Sequence, residues 1–418
     1  MEFRIPYGHS YLPVQIPDDV SVDIIKAPDT PRAKDPLGVV QNALENLLGE
    51  STWSDFAGAK SVGIAVNDKT RPVPHQHLLP PLFEKLAEVG ISDEAVTLYI
   101  AGGSHPPMTP VEYPVILPDD VLQRFTVISH DAEDPQSSVY LGETSRGTPI
   151  WANRCYLQSD LKIVIGNIEP HQFVGFSGGV KSAAIGLAGI ETINRNHALL
   201  TQPDSQLGEY KINPARQDVE EIGQKIGVHL ALNAILNQHK QIVYALAGDP
   251  IAVMRSGVSR SQQVCQVAVS QKYGLTIVSP GGYPKDINVY QSQKGLAHAA
   301  QVTRRGGTII LVAACPEGSG SPHYEDWAEG KTSYAEVIQK FQEEGFRIGP
   351  HKAYQIARDA SQFRLKLYSK MKPNLARKLL LEPVEDLQTA VDSALVDLGQ
   401  GELVAVLPHA ASTIPYLS

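Results

Sequence analysis

Titratable side chains suited to proton transfer follow several apolar runs of the sequence. The polar segments are NDKTRP (67–72), GGSH (102–105), EPH (169–171) and YQSQKG (290–295). They contain two histidines, His105 and His171, whose imidazoles titrate near neutral pH and can take up or release a proton. Arg71 and Lys294 can hold a carboxylate between them, the arginine through its bidentate fork and the lysine as a point charge. These residue types favour acid–base chemistry on a small anionic molecule, although a lone histidine after a strand more often only completes a turn.

A glycine-rich turn, GFSGGVKSAAIG (175–186), leads into a run of small residues. It departs from a Walker-type phosphate loop because Val180, and not glycine, precedes Lys181. In addition, the preceding strand is expected to end near Ile168, so His171-Gln172-Phe173-Val174 stand between that strand and the turn. NTPase activity is therefore disfavoured. Gly178 and Gly179 still allow close backbone approach, and the start of a helix attracts an anion such as a phosphate.

Lys181 lies between His171 and His197 in the sequence. A lysine at a crowded, partly buried helix start is expected to have a lowered pKa, which suits covalent attachment to a cofactor or to a carbonyl. The alternative is a structural ion pair with Glu169 or Glu191.

These polar segments need a sheet that brings the ends of its strands together. Five apolar runs end in turn-forming residues, as buried parallel strands do: 61–68, 95–105, 161–171, 274–282 and 307–318. The segments 78–90 and 261–274 have apolar residues at helical spacing. We therefore predict an α/β fold of two domains with mostly parallel sheets and crossover helices, and an active site in the cleft between them.

The length of 418 residues exceeds what one ordinary core supports. We predict an N-terminal cofactor-anchoring α/β domain over 1–265 and a C-terminal α/β domain over 266–400. The remaining segment, 401–418, is expected to close the fold by packing on either domain.

Charge and composition narrow the classes of partner. The net charge is −9 and no run of Lys and Arg occurs, which disfavours nucleic acid and anionic membrane surfaces. The sequence shows neither a secretory leader nor a long apolar span, so a cytoplasmic location is expected. The three cysteines have no CxxC spacing, which disfavours a zinc ribbon or a disulfide frame.

The segment EPHQFVGFSGGVKSAAIGLAGIETINRNH (169–197), taken with NDKTRP, GGSH and YQSQKG, resembles the lactate racemase family. Members of that family carry a nickel-pincer nucleotide, a nickel pyridinium-3,5-bisthiocarboxylic acid mononucleotide. The resemblance implies that Lys181 is joined to this cofactor through a thioamide and that His197 is a ligand of the nickel. Imidazole is a ligand that suits nickel.

The resemblance also implies a reaction. The Cα of a 2-hydroxy acid is inverted by reversible hydride transfer to the cofactor through a 2-oxo acid, with His105 and His171 as the general bases for opposite faces. The positions implied for substrate binding are Arg71, Tyr290, Gln291 and Lys294. The positions implied for cofactor binding, besides the covalent Lys181, are Asp68, Thr70, Gly178 and Gly179. Cofactor-synthesis and nickel-insertion proteins are the implied partners.

The sequence departs from the family at Val180 and Pro106, where a basic residue is frequent, and Trp327 does not align with the family's substrate-facing tryptophan. These differences leave the particular 2-hydroxy acid open. An oxidoreductase or lyase that uses the same cleft, and a non-catalytic cofactor- or nucleotide-binding protein, are the alternatives.

Overall fold

A computed structural model describes residues 1–399 and 401–418, which divide into two compact units. The central unit comprises Asp29–Val264, and the terminal unit comprises Met1–Pro28 with Cys265–Ser418. Each unit has a hydrophobic core of its own.

The elements are numbered in chain order. The strands are Glu2–Tyr7 (β1), Ser10–Gln15 (β2), Val22–Ile24 (β3), Val62–Asn67 (β4), Val96–Ala101 (β5), Thr126–Ser129 (β6), Ser138–Glu143 (β7), Pro149–Asn153 (β8), Leu161–Asn167 (β9), Pro170–His171 (β10), Gly175–Phe176 (β11), Leu230–Leu236 (β12), Ile242–Gly248 (β13), Gln266–Val269 (β14), Tyr273–Val278 (β15), Thr303–Val312 (β16), Arg364–Tyr368 (β17), Glu382–Val384 (β18), Val404–Leu407 (β19) and Ile414–Leu417 (β20). The helices are Pro36–Glu45 (α1), His75–Glu88 (α2), Asp119–Arg124 (α3), Arg154–Leu157 (α4), Lys181–Ala184 (α5), Ile190–Ala198 (α6), Pro214–Ile226 (α7), Pro250–Cys265 (α8), Val289–Val302 (α9), Pro322–Ala328 (α10), Tyr334–Glu344 (α11), Pro350–Ala360 (α12), Pro373–Lys378 (α13) and Leu387–Val396 (α14).

The central unit is built on a sheet with the strand order β13-β12-β9-β4-β5-β6. Its neighbouring strands run parallel except for the antiparallel pair β12–β13. All seven residues of β9 are buried, which is the pattern of a strand covered on both faces. The predicted α/β class is confirmed.

The parallel arrangement places three polar segments at one edge of this sheet. The strands β4, β5 and β9 are neighbours and end at Asn67, Ala101 and Asn167. The backbone N–H of Gly103 donates to the carbonyl of Gly186 at 2.9 Å, so the turn after β5 is tied to the segment that follows α5. Side chains that follow these strands are therefore brought together, as strand ends in open α/β sheets usually are.

The terminal unit has a parallel sheet with the order β18-β17-β16-β15-β19-β3. The helix α9 begins after Asn288, whose side chain accepts a hydrogen bond from the N–H of Gln291 at 3.0 Å. An Asn cap of this kind satisfies a backbone donor of the first turn. It fixes the helix that carries the predicted substrate-binding residues Tyr290, Gln291 and Lys294.

The structure differs from the predicted domain boundaries at the N-terminal end of the chain. Residues 1–28 belong to the terminal unit because β3 pairs with β19, with Val22 opposite Val404. The segment 401–418 contributes β19 and β20 to the same unit. The helix predicted over 261–274 was wrong from Gln266 onward, since Gln266–Val269 pairs with Ile414–Leu417 as a parallel strand.

No helix in the described ranges, 1–399 and 401–418, is long and apolar enough to cross a membrane.

Candidate active site

Asp68 and His105 form a hydrogen-bonded pair at the ends of β4 and β5. The Nδ1–H of His105 donates to Oδ2 of Asp68 at 2.8 Å, and the hydroxyl of Thr70 donates to Oδ1 at 2.7 Å. Asp68 is only 4 % exposed. Burial by itself would raise its pKa, but the hydrogen bonds from His105 and Thr70 outweigh burial and lower the pKa below its usual value. The ionised carboxylate therefore holds the imidazole with Nε2 as its remaining proton-transfer atom.

His171 lies in the short hairpin β10–β11, opposite Gly175. The ring of Phe173 stands edge-on to His171, with 4.8 Å between ring centroids, and also edge-on to His197 at 4.9 Å. Phe173 is buried and thus connects the two predicted functional histidines through direct ring contacts.

Lys181 begins α5 directly after the glycine turn. Burial and the positive charges of Arg71 and Arg216 lower its pKa to about 7, while Glu169 and Asp68 oppose this shift. The expected lowering of the pKa is present, and a large fraction of the amine is uncharged at neutral pH. This is the state in which a lysine is a nucleophile.

In the alternative interpretation, Lys181 forms a structural ion pair with Glu169 or Glu191. Both glutamates contact other side chains. The carboxylate of Glu169 forms an ion pair with Lys240 at 2.9 Å, and that of Glu191 accepts a hydrogen bond from the indole N–H of Trp151 at 3.0 Å. Each carboxylate therefore has a partner other than Lys181, and the charge of Glu169 also favours the charged form of the lysine.

His197 lies in the last turn of α6. Burial, followed by the positive charge of Lys181, lowers its pKa to about 3. The imidazole is consequently neutral at physiological pH, and a neutral imidazole is the form that binds metals.

The glycines before Lys181 are required by the backbone. Gly178 and Gly179 have φ values of +91° and +56°, a region that disfavours residues with a Cβ. A Cβ at Gly179 would also lie 2.5 Å from Cγ of Met254. The N–H of Gly179 donates to Oδ1 of Asn233 at 2.7 Å, so in this structure that predicted cofactor contact is used within the protein.

Tyr290, Gln291 and Lys294 all lie in the terminal unit, on the first two turns of α9. The ammonium of Lys294 donates to the side-chain oxygen of Gln291 at 2.9 Å. The ammonium of the buried Lys352, on α12, lies 4.7 Å from the ring centroid of Tyr290.

The sequence patterns do not single out two cations near predicted site residues, Lys352 beside Tyr290 and Arg216 near Lys181. Neither residue follows an apolar run, since each lies in the first turn of a helix. The pattern of polar residues after strands therefore could not single them out.

Trp327, which the sequence left without a role, is held within the terminal unit. Its indole N–H donates to Glu344 at 2.8 Å, and the ammonium of Lys331 lies 4.7 Å from its ring centroid. These contacts are those of a packing residue on α10.

Within the part of the chain that the structure describes, no group of three or more His, Cys, Asp and Glu side chains is arranged to hold a metal ion.

The fold and the site define the class of protein. A parallel α/β unit with a carboxylate-held histidine close to a lysine whose pKa is about 7 is typical of an enzyme.

The comparisons with known proteins define the family. Residues 7–208 match the family described as the lactate racemase N-terminal domain, and residues 269–414 match the lactate racemase C-terminal domain. The chain belongs to the lactate racemase family, and it is an isomerase of the racemase type.

Individual relatives match this chain over most of its length and of their own. The lactate racemase of Thermoanaerobacterium thermosaccharolyticum is 30% identical, with 82% of this chain and 81% of the relative covered. The lactate racemase of Lactiplantibacillus plantarum is 28% identical, with 90% of each covered. The solved apoprotein structure of the Thermoanaerobacterium enzyme superposes with a TM-score of 0.92 at 27% identity, over 99% of this chain and all of that one (100%).

Proposed function

We propose that this enzyme inverts the Cα of a 2-hydroxy acid. The observation that carries the proposal is the Asp68–His105 pair after the ends of β4 and β5, with Asp68 and Arg71 close enough to Lys181 to shift the pKa of that lysine. The names of the two relatives, both lactate racemases, support a 2-hydroxy acid as the substrate class.

In the proposed reaction His105 and His171 act as the two general bases. Each histidine takes the hydroxyl proton from one enantiomer, and it returns a proton when the reaction forms that enantiomer. Two bases are needed because inversion requires proton transfer for both enantiomers. The carboxylate of Asp68 stabilises the positive charge that His105 acquires when it takes up a proton, at a hydrogen-bond distance of 2.8 Å.

Arg71 is proposed to bind the substrate carboxylate. Tyr290, Gln291 and Lys294 are proposed to bind substrate as well, as the family resemblance implies. The Lys294 ammonium is oriented by its 2.9 Å hydrogen bond to Gln291. A guanidinium gives a bidentate contact and an ammonium gives a point charge, so the two cations have different effects on orientation.

The residues present fit a nickel-pincer nucleotide. Lys181 offers an amine with a pKa of about 7 for covalent attachment, and His197 offers an imidazole that is neutral because its pKa is about 3. Asp68 and Thr70 are hydrogen-bonded to each other, and Asp68 is close enough to Lys181 to affect the pKa of that lysine. When bound, the cofactor would supply a reversible acceptor for the hydride of the substrate Cα.

The test is purification of the protein from cells that make the cofactor, together with the cofactor-synthesis and nickel-insertion proteins that we infer as partners. We expect bound nickel, a mass increase on the peptide that contains Lys181, and conversion of one enantiomer of a 2-hydroxy acid into the other by chiral chromatography. An unmodified lysine without metal would contradict the cofactor assignment.

Incubation with a panel of 2-hydroxy acids distinguishes a racemase from the alternative functions. Net release of a 2-oxo acid or of an elimination product would identify an oxidoreductase or a lyase. Tight cofactor binding with no turnover of short, dicarboxylic, aromatic or sugar-derived 2-hydroxy acids would identify a cofactor-binding protein.

A further inference from the structure

Arg216 is a fully buried cation in the central unit, with 0 % of its surface exposed. It lies in the first turn of α7, where its backbone N–H donates to the side chain of the capping residue Asn213 at 3.0 Å. A buried guanidinium is costly unless its donors are satisfied, so its contacts indicate what it stabilises.

The guanidinium contacts the turn that precedes Lys181. Its Nη1 donates to the carbonyl of Phe176 at 3.2 Å and to that of Gly178 at 3.1 Å. Its Nε and Nη2 donate to Oε1 of Glu220 at 2.8 Å and 2.5 Å. Glu220 thus orients the guanidinium, and the guanidinium holds two carbonyls of the turn.

Two amides hold the same turn from other elements. The Nδ2 of Asn213 donates to the carbonyl of Phe173 at 2.8 Å, and the side chain of Asn233, on β12, accepts from the N–H of Gly179 at 2.7 Å. Side chains therefore hold the backbone from Phe173 to Gly179. Among them, only Arg216 is charged, and its contact with the carbonyl of Gly178 lies three residues before Lys181.

We infer that Arg216 is a positioning residue for Lys181, which fixes the glycine turn and presents the amine to an electrophile. The inference rests on the proposed function, in which Lys181 carries the cofactor. Arg216 is not proposed to contact the substrate. It affects Lys181 through its hydrogen bonds to the glycine turn and through its positive charge.

The groups around the amine agree with this role. Arg71, from the segment after β4, and Arg216, from α7, both disfavour the charged ammonium of Lys181, whereas Asp68 and Glu169 favour it. His197, on α6, is affected in turn by the charge of Lys181. Arg216 thus contributes to keeping the amine uncharged in a turn that it also immobilises.

The experiment measures acylation of Lys181 in the whole chain without cofactor. The protein is treated with the N-hydroxysuccinimide ester of acetic acid at a series of pH values, and the modified Lys181 peptide is quantified by mass spectrometry. Lys225, which is exposed on the same helix, is the internal control. Thermal unfolding shows whether each variant is folded.

In Arg216→Met we expect the midpoint of the Lys181 profile to rise by about one pH unit from its value of about 7, which is about a fivefold loss of rate at pH 7. In Glu220→Gln, which removes the opposing negative charge, the midpoint is expected to stay at or below that of the wild type. Arg216→Lys keeps the charge but not the fork, and its midpoint is expected to stay near that of the wild type with a lower plateau rate. The Lys225 profile should be the same in every variant.

An unchanged midpoint in Arg216→Met, or an equal rise in Arg216→Met and Glu220→Gln, would overturn the inference, because an equal rise indicates general loosening. If Arg216→Met does not fold, Arg216→Lys is the deciding variant. Because it keeps the positive charge, a raised Lys181 midpoint in that variant would overturn the inference. The measurement uses no cofactor and no substrate. Its failure is therefore distinguishable from failure of the proposed racemase function, which depends on bound nickel and turnover.

Discussion

The Nδ1–H of His105 donates to the buried carboxylate of Asp68 across 2.8 Å, although the two residues are separated by 37 positions in the sequence. The contact fixes which nitrogen of His105 is available to a substrate, because an ionised carboxylate only accepts hydrogen bonds. It also joins a residue assigned to the cofactor side of the site with a residue assigned to proton transfer.

Replacement of Asp68 by Asn tests this relationship. An amide cannot stabilise the protonated imidazole as a carboxylate does, so we expect kcat to fall by about 100-fold or more with a small change in KM. Racemisation is followed by chiral chromatography of cofactor-loaded enzyme.

Thr70→Val is the matched control for Asp68→Asn. It removes one 2.7 Å hydrogen bond to the same carboxylate but keeps the contact with His105. Thr70 is itself a predicted cofactor-binding residue, so bound nickel is measured in both variants. At equal nickel content, a loss in Thr70→Val as large as that in Asp68→Asn would contradict the role of the Asp68–His105 hydrogen bond.

Replacement of either general base separates catalysis from cofactor binding. His105→Ala and His171→Ala are each expected to lower the rate of interconversion by about 10²- to 10⁴-fold, the usual contribution of a positioned acid or base. Both variants should keep bound nickel, measured by elemental analysis, because His197 and Lys181 are unchanged.

His239→Ala is the control for the histidine variants, since that side chain is 63% exposed and pairs at the surface. It should retain full activity. Wild-type rates in both His105→Ala and His171→Ala would remove their assignment as bases.

Gly179→Ala tests the strain in the turn. The substitution places a Cβ at a φ of +56° and 2.5 Å from Cγ of Met254. We expect the free energy of unfolding to fall by about 2 to 4 kcal/mol, which combines the left-handed backbone cost with overpacking. Urea unfolding followed by circular dichroism measures it.

Gly147→Ala separates the two costs in Gly179→Ala. Gly147 has a similar φ of +72° but nothing within 4 Å of an added Cβ, so only the backbone term applies. Its expected loss is about 1 to 2 kcal/mol. Equal losses at the two positions would mean that Met254 moves aside at no cost.

Acid sensitivity is expected from His75. Burial lowers its pKa to about 4 in the folded chain, although a hydrogen bond to the backbone of Ile116 opposes the shift. The unfolded chain, in which histidine has a pKa near 6.5, therefore binds more protons between pH 6.5 and pH 4. Stability contributed by this group is present above pH 6.5 and is lost progressively as the pH falls towards 4.

His75→Asn is the variant for this prediction, because an amide can replace the 2.9 Å donor to the Ile116 carbonyl without titrating. Its free energy of unfolding should depend less on pH over that window, by about 1 to 3 kcal/mol in total relative to the wild type. A parallel pH dependence of the two proteins would place the acid sensitivity elsewhere.

Much of the central unit was predictable from the sequence because its determinants are local. The apolar runs that became β4, β5 and β9 have turn residues and polar groups directly after them, so His105 and His171 could be named as a pair of candidates. The hydrogen bond between Asp68 and His105 was not predictable, because it depends on which strands are neighbours in the sheet.

Other features depend on contacts between distant segments. β3 is three residues long and its burial pattern is mostly exposed, so its sequence carries little sign of a place in a sheet next to β19. The apolar residues of 261–274 have helical spacing, which predicts that Gln266–Val269 continues α8, but the pairing of Gln266–Val269 with Ile414–Leu417 makes it a strand. The sequence around Arg216 predicts only a helix residue. Its hydrogen bond to the carbonyl of Gly178 depends on the packing of α7 against the glycine turn.

The pairing of Val22 with Val404 makes the central unit an insertion between the two parts of the terminal unit. A chain emerging from the ribosome completes Asp29–Val264 long before β19 exists, and domains generally fold as units during synthesis. Nascent chains that end before Val404 should therefore carry a protease-resistant central unit beside an incomplete terminal sheet. The amine of Lys181 would then be in its folded surroundings before Tyr290, Gln291 and Lys294, which are proposed to bind substrate, have acquired theirs.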